Sequence, residues 1–307
     1  MGHSPTERNM RRATNRGMTM NTGSKVKPAP SHWQVAHGRS LELGPRGLIM
    51  GIVNTTPDSF SDGGRYAEGE AALTHALTLV GEGADIVDIG GESTRPGAAA
   101  VSAAEEQDRV LPVIERLVGE SPVLISIDTY RAETARLAIA AGAHIVNDVF
   151  GLQKDADMAG VVATSGAGVC IMHTGRDREK LSDVIDDQRL FLDRSLAIAD
   201  EAGIQRDRIT LDPGFGFAKD TDENTELMVR FAELSSFGFP LLAGTSRKRF
   251  IGALTGREAP DARDVGTAAT TVILRLAGAS IFRVHNVAMT RDALAIADAC
   301  LAKGDRA

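Results

Sequence analysis

"LIMGIVNTTPDSFSDGG", residues 48–64, opens as a nearly continuous apolar run and closes in a loop of small, polar and glycine residues. An unbroken apolar run of this length reads as a strand covered on both faces. It ends on an amide, Asn54, and feeds a segment poorly suited to packing. The same rhythm returns in "ADIVDIGG" (84–91), "VLISIDT" (123–129), "HIVNDV" (144–149), "GVCIMHT" (168–174), "ITLDPGFGF" (209–217), "PLLAGTS" (240–246) and "SIFRVHN" (280–286). Between these runs lie stretches of helical periodicity rich in Ala, Leu, Glu and Arg, such as "EGEAALTHALTLVGEG", "SAAEEQDRVLPVIERLV" and "RAETARLAIAAG". Strands alternating with helices argue for parallel pairing, because a parallel crossover needs a dozen or more residues. Eight such units fit a closed (β/α)8 TIM barrel, although an open doubly wound sheet uses the same units.

Where the polar residues fall favours the barrel. Asn54, Glu92, Asp128, Asn147 with Asp148, His173, Asp212, Ser246, and Arg283 with His285 all lie at the C-terminal ends of the runs. In a barrel those ends ring one mouth, where active sites of this architecture are built.

The chain has 307 residues, within the roughly 200 to 400 of a single barrel. With 43% hydrophobic and 24% charged residues, and no apolar run near the ~20 residues of a membrane span, it reads as a soluble protein with one large core. Residues 1–30 carry six Lys/Arg against the single acid Glu7, leaving 28 bases and 40 acids in the body. The expected organisation is a disordered basic extension over 1–30 and one barrel domain over 31–307. Within that domain, "WQVAHGRSLEL" suggests a short N-terminal β-hairpin around His37 and Gly38. The acidic body argues against general nucleic-acid binding, so an anionic ligand needs a local cluster of bases. Cys170 and Cys300 lie far apart without metal-ligand spacing, which suits reduced thiols in the cytoplasm.

Asp128, Asn147 and Asp212 each follow an apolar run. One strand-end Asp is as well read as a helix cap; three together suit a ligand rich in N–H donors with some acceptors. "GTSRKRFIG" (244–252) places Arg247, Lys248 and Arg249 at the start of a helix, where anions bind and where this fold holds phosphate. In "IFRVHN", alternation puts His285 on the same side as Arg283, a fork suited to phosphate beside an imidazole suited to an oxyanion. Arg95 in "GGESTRPGA" (90–98) is either a solvated charge or a carboxylate clamp, and periodicity does not choose between them.

Taken jointly and in order, "NTTPDSFSDGG", "GGESTRPGA", "SIDT", "VNDV", "LDPGFGF", "SRK" and "RVH" make the chain, from about Leu48 to Ala302, resemble the dihydropteroate synthase family. The resemblance implies a folate-pathway transferase. It joins 6-hydroxymethyl-7,8-dihydropterin diphosphate to 4-aminobenzoate, releases diphosphate, and uses Mg²⁺. By position it assigns Asp128, Asn147, Met172, Asp212, Phe217 and Lys248 to the pterin pocket, and Asn54, Arg283 and His285 to the diphosphate. Asn54 is also the implied magnesium ligand, while Phe60, Thr94, Arg95 and Pro96 form the implied aminobenzoate site. Arg283, His285, Lys248 and Asp128 would carry the chemistry. A homodimer through the last helices is also implied. Two positions depart from the family pattern: Asn286 stands where many members carry Asp after "RVH", and Arg249 where many carry Ser after "SRK". A pterin-dependent methyltransferase shares Asp128, Asn147 and Asp212 but has no use for "STRPGA" or a diphosphate clamp. A barrel that binds pterin without turnover is the non-enzymatic alternative. The loop after Asn54, with Pro57, Phe60, Gly63 and Gly64, suits a lid.

Overall fold

The computed structural model describes residues 29–55, 64–93 and 100–304. The basic extension up to residue 28, the segment 56–63 that the sequence suggested as a lid, residues 94–99 and residues 305–307 lie outside them.

β1 (His32–Gln34) and β2 (Ser40–Glu42) pair antiparallel, with Trp33 opposite Leu41. His37 and Gly38 turn the chain between them at φ 58° and 66°. The eight apolar runs become β3 (Leu48–Asn54), β4 (Ile86–Gly90), β5 (Leu124–Asp128), β6 (Ile145–Asp148), β7 (Gly168–Met172), β8 (Ile209–Asp212), β9 (Leu242–Ala243) and β10 (Ile281–Val284). They form one parallel sheet in the order β8-β7-β6-β5-β4-β3-β10-β9. A parallel bridge between Leu211 and Leu241 joins the two ends of that order. The sheet is therefore a closed barrel and not the open alternative.

The crossovers are α1 (Gly64–Glu82), α2 (Ala103–Glu120), α3 (Ala132–Ala140), α4 (Met158–Ser165), α5 (Val184–Glu201), α6 (Thr221–Val229), α7 (Arg249–Thr255), α8 (Asp264–Leu276) and α9 (Val287–Gly304). Several starts are written locally. Ser102 with Glu105 and Asp220 with Glu223 make capping boxes for α2 and α6, and Asp183 caps α5.

Each strand is apolar on both faces for different reasons. Its outward residues, such as Val87, Ile89, Ile125 and Ile127, pack under the helices in the main core. Its inward residues fill the lower barrel with Met50, Ile86, Leu124, Ile145, Cys170, Leu242 and Ile281. Trp33 and Val35 of the hairpin join this inner cluster, and Trp33 Nε1 donates to the Arg208 carbonyl at 2.9 Å. The hairpin thus plugs the floor of the barrel. One step up each strand, alternation brings Asp88, Ser126, Asn147 and Arg283 to the same inner face. Cys170 is buried, Cys300 is exposed, and both are free thiols. Among the described residues no helix is long and apolar enough to cross a membrane.

Candidate active site

Three strands meet through one guanidinium. Arg283, on β10, donates from Nε to Asp88 Oδ2 at 2.6 Å and from Nη2 to Asp128 Oδ2 at 2.7 Å. Asn147, on β6, donates from Nδ2 to the same Asp88 oxygen at 3.2 Å. Two carboxylates thus share one cation inside a wall of apolar strands. Burial raises the Asp128 carboxyl to about 7, with Arg283 opposing the rise and Asp88 adding to it. Burial also pulls down on the Arg283 guanidinium, but Asp88 and Asp128 more than reverse this and keep it firmly cationic.

Beside this set stands an apolar wall. Val149, Met172 and Phe217 form a small cluster of their own, flanked by Tyr130 and Phe150. The Lys248 ammonium lies 4.2 Å from the centre of the Phe217 ring. Burial lowers Lys248 to about 8, and Arg283 pushes it the same way.

Asp212 ends β8, and the loop after it has one permitted shape. Gly214, at φ 65°, donates its N–H to Asp212 Oδ1 at 2.7 Å. A Cβ on Gly214 would stand 1.9 Å from the His173 carbonyl oxygen. Gly216 follows at φ 77°, and a Cβ there would stand 3.0 Å from Lys248 Cδ. The glycines of "PGFGF" therefore let the backbone pass under His173 and beside Lys248. Burial raises Asp212 to about 6, against the Gly214 N–H and the charges of Lys248 and Arg283.

The three consecutive bases of "SRK" and the residue after it part company in space. Arg247, at φ 58°, is bonded to Asp264 through Nε at 2.7 Å and Nη2 at 2.8 Å. Lys248 turns to Phe217, and Arg249 is exposed at the start of α7. Ser246 Oγ lies 2.9 Å from His285 Nδ1 and accepts the His285 backbone N–H at 3.1 Å. The departure at Asn286 has a local explanation. Its Nδ2 donates to Asp264 at 3.0 Å and its Oδ1 accepts the Met289 N–H at 3.0 Å. The amide caps α9 while avoiding a second carboxylate beside Asp264.

Asn54 ends β3 half-buried, and its side chain makes no hydrogen bond among the described residues. Among those residues no group of three His, Cys, Asp or Glu could hold a metal. A single neutral oxygen nevertheless fits Mg²⁺, which keeps several waters and takes its remaining ligands from phosphate. Phe60, Thr94, Arg95 and Pro96 lie outside the described residues.

Sequence reasoning passed over some of the site. Asp88 sits in mid-strand, where an apolar run gives no sign of it. A second buried network backs the β8 loop: Lys219 Nζ donates to the Gly214 carbonyl at 2.9 Å and stands 2.9 Å from His173 Nδ1. His173 Nε2 lies 3.0 Å from Asp187 Oδ2. Burial lowers His173 to about 3 and Lys219 to about 7. The imidazole is therefore neutral, with Lys219 at Nδ1 and both Asp187 Oδ2 and Arg178 Nη2, the latter at 2.8 Å, at Nε2. The mouth of β4 and β5 carries a third network. There Arg131 Nη1 donates to Glu92 at 2.6 Å and to the buried Glu106 at 2.9 Å.

A profile of the family described as "Pterin binding enzyme" matches residues 50–285. The dihydropteroate synthase of Bacillus subtilis is 45% identical over 273 residues, 88% of this chain and 95% of the relative. That of Streptococcus pyogenes is 45% identical over 249 residues, 81% of this chain and 93% of its own length. Among solved structures, Xanthomonas albilineans dihydropteroate synthase with 4-aminobenzoic acid superposes with a TM-score of 0.84 at 46% identity, covering 88% of this chain and 99% of that one. The same enzyme in complex with 7,8-dihydropteroate gives a TM-score of 0.80 at 44% identity over the same shares.

Proposed function

The chain belongs to the pterin binding enzyme family, as a dihydropteroate synthase of folate biosynthesis, and on that premise we propose how its residues divide the reaction. This membership decides against the methyltransferase and against a barrel that only binds. The reaction breaks the C–O bond between the pterin's exocyclic methylene and diphosphate and forms a C–N bond to the amine of 4-aminobenzoate. The bonding pair leaves with diphosphate, and the amine nitrogen gives up a proton.

The observation that carries the reading is the hydrogen-bonded set of Asp88, Asp128, Asn147 and Arg283 beside the Met172–Phe217 wall. A pterin's aminopyrimidinone edge presents several N–H groups. Asp128 and Asp212 are acceptors for them, Asn147 supplies an amide, and Met172 and Phe217 contact the ring. Lys248, held against Phe217, adds a compact donor. Arg283 and His285 receive the diphosphate: two donors of Arg283 are spent on carboxylates, while Nη1 has no partner among the described residues. Ser246 holds the His285 ring.

An arylamine is a weak nucleophile, so the residues act mainly on the leaving group. Donors preset where negative charge grows stabilise the transition state without reorganising. Asn54, with the diphosphate, would hold Mg²⁺, which would add Lewis-acid stabilisation of the same charge when bound. Asp128 and Asp212 support the electron-poor pterin as the C–O bond breaks. Phe60, Thr94, Arg95 and Pro96 take the aminobenzoate.

The reading extends to assembly and place. Val265 and Ile296 are 74% and 65% exposed on α8 and α9, with Ile273 and Leu276 also exposed. A homodimer through these helices would cover them; a monomer in sedimentation at micromolar concentration would count against it. The two free thiols suit the cytoplasm.

The test is diphosphate release from the dihydropterin diphosphate. Release should require 4-aminobenzoate, stop with a chelator and return with Mg²⁺; release indifferent to aminobenzoate would sink the assignment. Run across pH, the same assay should give a bell in kcat/KM for the pterin substrate, which reports groups of the free enzyme. Asp128 and Asp212 have raised values of about 7 and 6, so both gain protons as pH falls through that range and lose their capacity as pure acceptors. Lys248 has a lowered value of about 8, so it loses its charge as pH rises past it. A flat profile through both ranges would remove these three residues from the pocket.

A further inference from the structure

We propose that Asp88 is a positioning residue that aims two substrate contacts at once, the Asn147 amide toward the pterin and the Arg283 fork toward the diphosphate. It rests on the roles given to Asn147 and Arg283 above. Asp88 is the third residue of β4, fully buried, between Val87 and Ile89 of the outer core. A carboxylate there costs the barrel desolvation that an aliphatic side chain would not. The cost is not recovered in packing. Among the described residues Asp88 Oδ1 has no hydrogen-bond partner, and neither has the Oγ of Ser126, its neighbour in register on β5.

What Asp88 supplies is orientation. Viewed by shape alone, the two ends of an Asn amide are nearly interchangeable, and only their partners decide which end faces a ligand. A carboxylate accepts and cannot donate, so Asn147 must turn Nδ2 to Asp88, as it does at 3.2 Å. Its Oδ1 is then left for an N–H of the ligand. The same oxygen takes the Nε–H of Arg283 at 2.6 Å. With Asp128 on Nη2, the plane of the guanidinium is set from two sides, and Nη1 is the remaining donor group. One atom, Asp88 Oδ2, therefore specifies an acceptor for the ring and a donor for the leaving group.

Asp88→Asn keeps the shape and removes the charge and the pure-acceptor character. Calorimetry with 6-hydroxymethylpterin, which lacks diphosphate, and with inorganic diphosphate plus Mg²⁺ reads the two arms separately. Both Kd values should rise on the order of tenfold, the size of a charge-assisted hydrogen bond lost from an aimed contact. In an Asn147→Ala background the pterin effect of Asp88→Asn should vanish while the diphosphate effect persists, because the first acts through Asn147 and the second does not. Unchanged affinities in Asp88→Asn, with Asn147→Ala losing pterin as expected, would overturn the role of Asp88 and leave the pocket assignment standing. An Asn147→Ala variant that keeps pterin affinity would overturn both. Should Asp88→Asn fail to fold, the wild-type protein still decides. One Asn147 side-chain N–H should be downfield and protected from exchange in its amide NMR spectrum, and a pair that exchanges freely overturns the proposal.

Discussion

Arg283→Lys should lower kcat by on the order of 10²- to 10³-fold while changing the affinity for 6-hydroxymethylpterin by less than about threefold. The lysine keeps a positive charge between Asp88 and Asp128 but has no planar fork. It cannot satisfy two carboxylates and still present an aimed donor to the leaving diphosphate. The loss should therefore appear where charge develops, in the chemical step, and little in the binding of a ring that Asp128, Asn147 and Asp212 hold. The lysine substitution is more informative than Arg283→Ala. Alanine leaves Asp88 buried and Asp128 largely so without the guanidinium that bonds both, and breaking a buried pair costs about 3–5 kcal/mol. That variant should also unfold at a lower temperature, mixing stability with catalysis. Should Arg283→Lys turn over within about threefold of wild type, Arg283 is not the group that meets the leaving charge.

Gly214→Ala should be nearly as damaging for a purely steric reason. The added Cβ would lie 1.9 Å from the His173 carbonyl oxygen, far inside van der Waals contact, at a backbone φ of 65°. The loop must move, and both of its anchors then fail. The Gly214 N–H leaves Asp212 Oδ1, and its carbonyl leaves Lys219 Nζ. Asp212 loses the bond that aims it, so kcat/KM for the pterin substrate should fall on the order of 10²-fold or more, with a thermal midpoint several degrees lower. Gly256→Ala is the control. Gly256 has a similar φ of 70°, but a Cβ there meets nothing within 4 Å. It should cost only the left-handed strain, about 1–2 kcal/mol, with activity kept. Equal kcat/KM in the Gly214 variant and wild type would mean that the β8 loop does not shape the pterin site.

The contrast between these glycines shows where reading along the chain stops. "LDPGFGF" signals a tight loop after a strand, but nothing in it names His173 as the neighbour that forbids a Cβ. Asp128 and Asp212 were visible because they interrupt apolar runs at their ends. Asp88 was not, because one acid inside "ADIVDIGG" resembles a tolerated exception in a core strand. The bases of "SRK" and their neighbour read as one cluster, yet a left-handed residue at Arg247 sends Arg247, Lys248 and Arg249 to an ion pair, an aromatic ring and solvent respectively.

By itself the sequence determined the parallel barrel units, the hairpin, the single polar mouth and the family. Each of these follows from local pattern: continuous apolar runs for the strands, helical periods between them, and motifs carried on contiguous residues. Closure of the sheet, the shared carboxylate at Asp88, the neutral His173 behind the β8 loop and the capping role of Asn286 were decided only in three dimensions. The physical reason is that alternation tells which face a side chain takes, not what stands across the barrel from it. Asp88 meets Asn147 across 59 residues and Arg283 across 195. Partners so distant in the chain become neighbours only when the ring of strands has closed.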